Sequence, residues 1–154
     1  MAVYFFDTSA IVKRYASEIG STWVKGVTDP ASGSVIYLAR ITKVEVVSAI
    51  TRRLSEGSLS ASDAALATTN FRYDFVHHYR VIEMTPELIN RAVSIVQSYL
   101  LRAYDAVQLA AALEINGERI ASGAPPIVII SADVALNAAA IAEGLAMDDP
   151  NAHP

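Results

Sequence analysis

Four carboxylates in this 154-residue chain stand where a charge needs a reason: Asp7, Glu45, Asp105 and Asp133. Asp7 closes the run VYFFD, and Asp133 follows PPIVIIS, so each is expected just past the carboxyl end of a buried strand. Each also suits the cap of the helix that follows it. Glu45 lies within ITKVEVVSAITRRLSEG, where it shares one narrow polar stripe with Ser48 and Arg52 and has no cation three or four residues away. Asp105 interrupts LRAYDAVQLAAAL, a run suited to burial, where the only other charge is Arg102. A buried Asp–Arg pair is one reading, but the desolvation cost of such pairs makes it a weak reason to keep an acid in a core. A fuller account lets several acids meet and share a divalent cation.

Four carboxylates in one cleft repel one another, which raises at least one pKa or calls for cations to neutralise them. The chain has no cysteine, which excludes disulfides and thiolate sites and leaves an oxygen-only donor set suited to Mg²⁺ or Mn²⁺. Such ions held between carboxylates suit phosphodiester hydrolysis, because they activate a water and stabilise the leaving oxygen. Lys13, Arg14, Arg40, Lys43, Arg52 and Arg102 lie within a few turns of the acids. Lys13, Arg14, Arg52 and Arg102 are taken as candidates for phosphate contacts, and the last two share a helix face with an acid that they can also orient. Tyr104, beside Asp105, could stack on a base. His77 and His78 point about 100° apart on a helix and sit near its C-terminus, so they read as structural. Asp148 and Asp149 read as a solvated terminus.

The elements that must position these groups alternate in type. Strands are expected over VYFFD (3–7), VIYLAR (35–40), RVIEM (80–84), PPIVIIS (125–131) and, briefly, LAM (145–147). Helices are expected over TSAIVKRYASE (8–18), IGSTWVKGVT (19–28) and 41–57, closed by Gly57. A further helix, with Ser60 and Asp63 as a capping box, runs to about His78. Another opens at Thr85-Pro86-Glu87 and continues through LRAYDAVQLAAAL to about Gly117, and ADVALNAAAIAEG (132–144) forms the last. Short strands alternating with helices predict a mostly parallel sheet of four to five strands covered on both faces, an α/β three-layer sandwich. In such sheets ligands bind beyond the carboxyl ends of the strands, where Asp7 and Asp133 fall.

With 53% apolar residues, the length suits one compact domain spanning 1–154. A net charge of −4 argues against a general nucleic-acid coat protein, yet not against an enzyme with a local basic rim. The N-terminus lacks the pattern of a signal peptide, and no run approaches the ~20 apolar residues of a membrane span, so a cytoplasmic protein is expected.

FDTSAIVKRYASE with GSTWV after it, Glu45 within TKVEVVSAI, LRAYDAVQLAAAL, and ISADVALNAAAIAEGLAMDDP together resemble the PIN-domain family, and within it the VapC-type ribonuclease toxins of toxin–antitoxin pairs. The resemblance spans essentially the whole chain in the family's order. It implies a PIN-like fold in which Asp7, Glu45, Asp105 and Asp133 bind Mg²⁺ or Mn²⁺ and are catalytic. Thr8, Ser9 and Ser131 match positions that support the site by hydrogen bonding. The implied reaction is metal-dependent endoribonucleolytic hydrolysis of RNA, the implied assembly a homodimer, and the implied partner a small antitoxin whose C-terminal segment fills the active-site groove. Many relatives place a second charged residue directly after the last acid, whereas Val134 follows Asp133 here.

Two other classes of function compete. A catalytically silent module acting through a partner protein would have no need of all four acids. A phosphatase using Asp7 as nucleophile would be expected to repeat an acid two residues later, and Ser9 stands there.

Overall fold

The computed structural model describes residues 1–154. Strands β1 (Val3–Phe6), β2 (Val35–Ala39), β3 (Arg80–Ile82), β4 (Val128–Ile130) and β5 (Ala146–Asp148) form one sheet in the order β3-β2-β1-β4-β5. Every neighbouring pair is parallel, so the mostly parallel sheet that the pattern predicts is wholly so. Seven helices accompany it: α1 (Thr8–Ile11), α2 (Ser21–Val27), α3 (Thr42–Ser55), α4 (Ala61–His77), α5 (Pro86–Ser98), α6 (Ala103–Ala121) and α7 (Val134–Ala142). No helix is long and apolar enough to cross a membrane.

Side-chain alternation along the strands sends successive residues to opposite faces, and both faces are covered. Phe5, Tyr37 and Ile129 pack with α5, α6 and α7 in one core. Phe6, Leu38 and Ile130 pack with α1, α3 and α4 in the other. The strands therefore read as apolar runs with no polar face, giving the three-layer sandwich.

Local chemistry starts the helices where expected. Ser60 Oγ accepts from the Asp63 amide at 3.1 Å, and Thr85 Oγ1 accepts from Leu88 at 3.1 Å with Pro86 at the first helical position.

Two helical expectations need correction. The helix expected over 8–18 stops after α1 and tightens into a 3₁₀ turn at Val12–Arg14, closed by the Tyr15 amide donating to Val12 O at 3.0 Å. The long helix expected from Thr85 to Gly117 is two helices. Between them Tyr99 has extended backbone, φ −128° and ψ 141°, and Arg102 has φ −65° and ψ 154°. Tyr99 and Leu101 pack against the α5–α7 core while Leu100 projects fully into solvent, a two-residue alternation that a helix cannot give. The chain then restarts as α6, which runs four residues beyond Gly117 to Ala121. Asp105 consequently lies in the first turn of a helix, where the macrodipole favours a carboxylate.

The chain lays β1, β2 and β3 outward in one direction, then returns through α5 and α6 to place β4 on the other side of β1. The order of winding therefore reverses between β1 and β4, and a crevice opens there beyond their carboxyl ends.

Candidate active site

Asp7 leaves β1 at that reversal, and its amide continues the ladder by donating to Ile130 O at 3.1 Å. Its side chain is 3% exposed. The carboxylate accepts from Ser9 Oγ at 2.7 and 2.9 Å, from Ser131 Oγ at 2.9 Å, and from the Ala10 amide at 3.0 Å, so it caps α1 as well. Ser9 Oγ accepts from the Ala132 amide at 2.9 Å, and Ser131 Oγ accepts from the Asp133 amide at 3.0 Å. Two hydroxyls, each donating once and accepting once, thus bind the loop after β1 to the loop after β4. Burial, with a smaller contribution from the nearby charge of Asp105, pushes the Asp7 carboxyl up to about 7 against these hydrogen bonds.

Glu45 projects from the first turn of α3. Its Oε1 accepts from Thr8 Oγ1 at 2.9 Å and from Gln108 Nε2 at 2.9 Å. Gln108 is 2% exposed, and the same Nε2 lies 2.9 Å from Thr42 Oγ1 and 3.3 Å from Thr8 Oγ1. Its Oε1 is buried without a partner, a burden of about 1–3 kcal/mol. Turning the amide over would set that oxygen against the Glu45 carboxylate, which explains why the N–H₂ faces the acid. Sequence reading passed over Gln108 and Thr42. The available signal was an amide on the same helical face as Asp105, three residues on, in an alanine-rich run.

Asp105 and Asp133 meet through Arg102. The guanidinium Nε donates to Asp105 Oδ2 at 3.1 Å, and Nη2 lies 3.6 Å from Asp133 Oδ2. Arg102 is mostly exposed while both acids are largely covered, so a solvated cation closes over them from the open side. Desolvation raises the Asp105 pKa and the charge of Asp133 adds to it, while Arg102 opposes both. The hydrogen bond to Asp105 in turn holds Arg102 above the usual arginine range. Asp133 Oδ1 also accepts from the Leu136 amide at 2.8 Å and caps α7. The Asp–Arg pair forms, with an exposed arginine rather than as the buried pair expected, and both caps are made; all of these coexist with the four acids lining one cleft.

All four acids line one cavity of about 540 Å³, together with Thr8, Ser9, Arg52, Arg102, Tyr104 and Gln108. As the side chains stand, no three of the acids close around one point. The metal-ligating side chains facing the cavity are nevertheless carboxylates and hydroxyls, and the four carboxylates outnumber the two arginines there, Arg52 and Arg102, a charge balance and donor set that fit a hard divalent cation.

Lys13 and Arg14 do not line this cavity. Lys13 is buried, with Nζ 3.3 Å from Glu18 Oε2 and 3.0 Å from Ile19 O. Arg14 donates to Asp74 at 3.2 Å and to Thr28 Oγ1 at 3.0 Å. Lys13 is spent on the loop that follows the 3₁₀ turn, and Arg14 on tying that turn to α4 and the end of α2, so the phosphate contacts expected of them are set aside. His78 lies 3.8 Å from Asp74 at the end of α4, and Asp148 is held by His153 at 2.9 Å, away from the cavity.

Residues 4–142 match the PIN domain. The chain belongs to the PIN-domain family. Among relatives of this PIN domain, Ribonuclease VapC45 of Mycobacterium tuberculosis is 29% identical over 144 residues, covering 94% of this chain and 93% of that one. Among solved structures, Mycobacterium tuberculosis VapC20, described as a sarcin-ricin loop cleaving toxin, matches with a TM-score of 0.59 at 16% identity, covering 88% and 94% of the two chains. A toxin–antitoxin complex from Klebsiella pneumoniae matches with a TM-score of 0.57 at 16% identity, covering 86% and 87%. These likenesses carry the PIN fold, and the chemistry has to be read from the cleft itself.

Proposed function

We propose that this PIN-domain protein is a Mg²⁺- or Mn²⁺-dependent endoribonuclease and the toxin of a toxin–antitoxin pair. The observation that carries this reading is the convergence of Asp7, Glu45, Asp105 and Asp133, from four separate elements, on one cleft at the sheet's winding reversal. The relatives named ribonucleases and toxins support the substrate class.

The four acids would hold the metal, which when bound supplies polarisation of the phosphodiester and of an attacking water. Ser9 and Ser131 aim the Asp7 carboxylate, and Thr8 and Gln108 aim that of Glu45. Asp105 and Asp133, which pair with Arg102 here, would hold the metal in its place, and the Arg102 guanidinium would then be available to a phosphate. Arg52 and Tyr104 stand on the rim for further backbone and base contacts.

A small antitoxin is the proposed partner, in keeping with the toxin–antitoxin complex among its structural neighbours. A homodimer is the proposed assembly, with Ile89, Val93 and Val96 on α5, and the exposed Leu100 just beyond its end, as apolar surface available to it. Incubating the purified protein with RNA and Mn²⁺ beside Asp105→Asn tests the nuclease reading. Cleavage by the wild type and its loss in the variant are expected; equal activity would overturn it.

A further inference from the structure

A second groove, of about 700 Å³, runs along the exposed side of α3 and adjoins the active site, with which it shares Val44, Ser48 and Arg52. Lys43, Arg52 and Arg72 line it, with Ser48, Thr51 and Ser55 between them, and no carboxylate does. The eight ion pairs of the molecule are all made by other residues, so these three cations keep their charge available. Lys43 lies over the Phe75 ring at 5.6 Å, a contact that positions the ammonium without neutralising it. This is an unpaired basic strip in a chain of net charge −4, set beside the site where its acids are concentrated.

We infer that this groove is an RNA track, which carries the backbone phosphates of a single strand along α3 while the scissile phosphate sits at the acids. The inference rests on the ribonuclease reading above. Cations alternating with hydroxyls are the chemistry of phosphate contact. From Lys43 to Arg52 the track covers about 13 Å of helix axis, enough to engage more than a single phosphate. Only two of its lining residues are apolar, too little to anchor a protein segment through a buried hydrophobic core. The track also answers an electrostatic need, since a polyanion approaching four carboxylates requires local attraction to offset their repulsion.

The test uses the full chain and a Lys43→Gln/Arg72→Gln double variant, which leaves the lining of the acid cavity intact. Binding of a long fluorescein-labelled single-stranded RNA is followed by anisotropy in the Asp105→Asn background across a salt series. The double substitution is expected to flatten the slope of log affinity against log salt by about 1.4, at roughly 0.7 per lost cation contact. In the otherwise wild-type background it raises KM for long RNA with kcat retained, and leaves cleavage of a trinucleotide unchanged. Lys43→Arg/Arg72→Lys restores binding if charge is what matters. An unchanged salt slope and KM, or no RNA binding at all, overturns the track. Competition by polyglutamate as strong as by RNA of equal charge overturns its assignment to RNA and assigns the groove to an acidic protein segment. RNA bound with the expected dependence on Lys43 and Arg72, but left uncleaved by the wild type with Mn²⁺, overturns the nuclease reading and leaves the track standing.

Discussion

At the scale of single residues, Asp7 carries the largest electrostatic burden among the four acids. Burial raises its pKa from 3.8 to about 7, so the folded state keeps a proton that the unfolded chain releases across that interval. The stability this proton confers is fully present below the unfolded pKa and is lost as pH rises through about 7. Urea unfolding of the metal-free protein is therefore expected to show a loss of about 3 kcal/mol between about pH 5 and about pH 8 from this one group. Asp7→Asn removes that dependence, and a variant as pH-sensitive as the wild type would contradict the assignment. The same proton competes with metal, so Mn²⁺ affinity measured by calorimetry is expected to fall as pH drops below about 7. Ser9 and Ser131 work against the burden by donating to the ionised form.

At the scale of elements, α6 decides how closely its acid approaches the sheet. Ala106, Ala110, Ala111 and Ala112 are completely buried, and their small side chains let the helix lie near its neighbours. Ala110→Leu is expected to cost about 1–3 kcal/mol in urea unfolding through overpacking. Because Asp105 and Gln108 ride on the same helix, the substitution should also weaken Mn²⁺ binding. A full-strength metal site in a destabilised variant would show that α6 can shift without moving its first turn. The break at Tyr99–Arg102 matters equally, since it sets the start of α6 and so puts Arg102 and Asp105 at its mouth.

At the scale of the whole molecule, the C-terminal segment closes over α2. Gly20 has φ +85°, and a Cβ built there would lie 2.2 Å from Pro150 O, while Trp23 stacks on His153 at 4.2 Å with the rings 5° apart. Gly20→Ala is expected to combine left-handed strain of about 1–2 kcal/mol with a backbone clash, displacing the tail. Gly33→Ala, at φ +71° with open space around it, carries the strain alone. Trp23 fluorescence and limited proteolysis of the tail should change only in the first variant; identical changes in both would mean that the Pro150 contact is unimportant. Such a contact joins positions too far apart in the chain for any local pattern to announce it.

The amino-acid sequence by itself determined the alternation of strands and helices, because burial on both faces of a parallel sheet demands apolar strands and amphipathic helices that show in the residue pattern. It also singled out the four acids, because a charge in an apolar run has few local explanations. Arg102 was legible in the sequence as a partner for Asp105, but only the tertiary structure decided which of the other cations attend those acids. Lys13 and Arg14 are near Asp7 in sequence yet face Glu18 and Asp74, since the 3₁₀ turn after α1 carries them away. Gln108 gains its importance from Thr8, Thr42 and Glu45, which reach it from two other helices. The division between α5 and α6 was also hidden, because Tyr99, Leu100 and Leu101 are all apolar and only the core shows which of them points inward. Local propensity and periodicity report what one element buries, whereas the composition of a cleft depends on how separate elements are brought together.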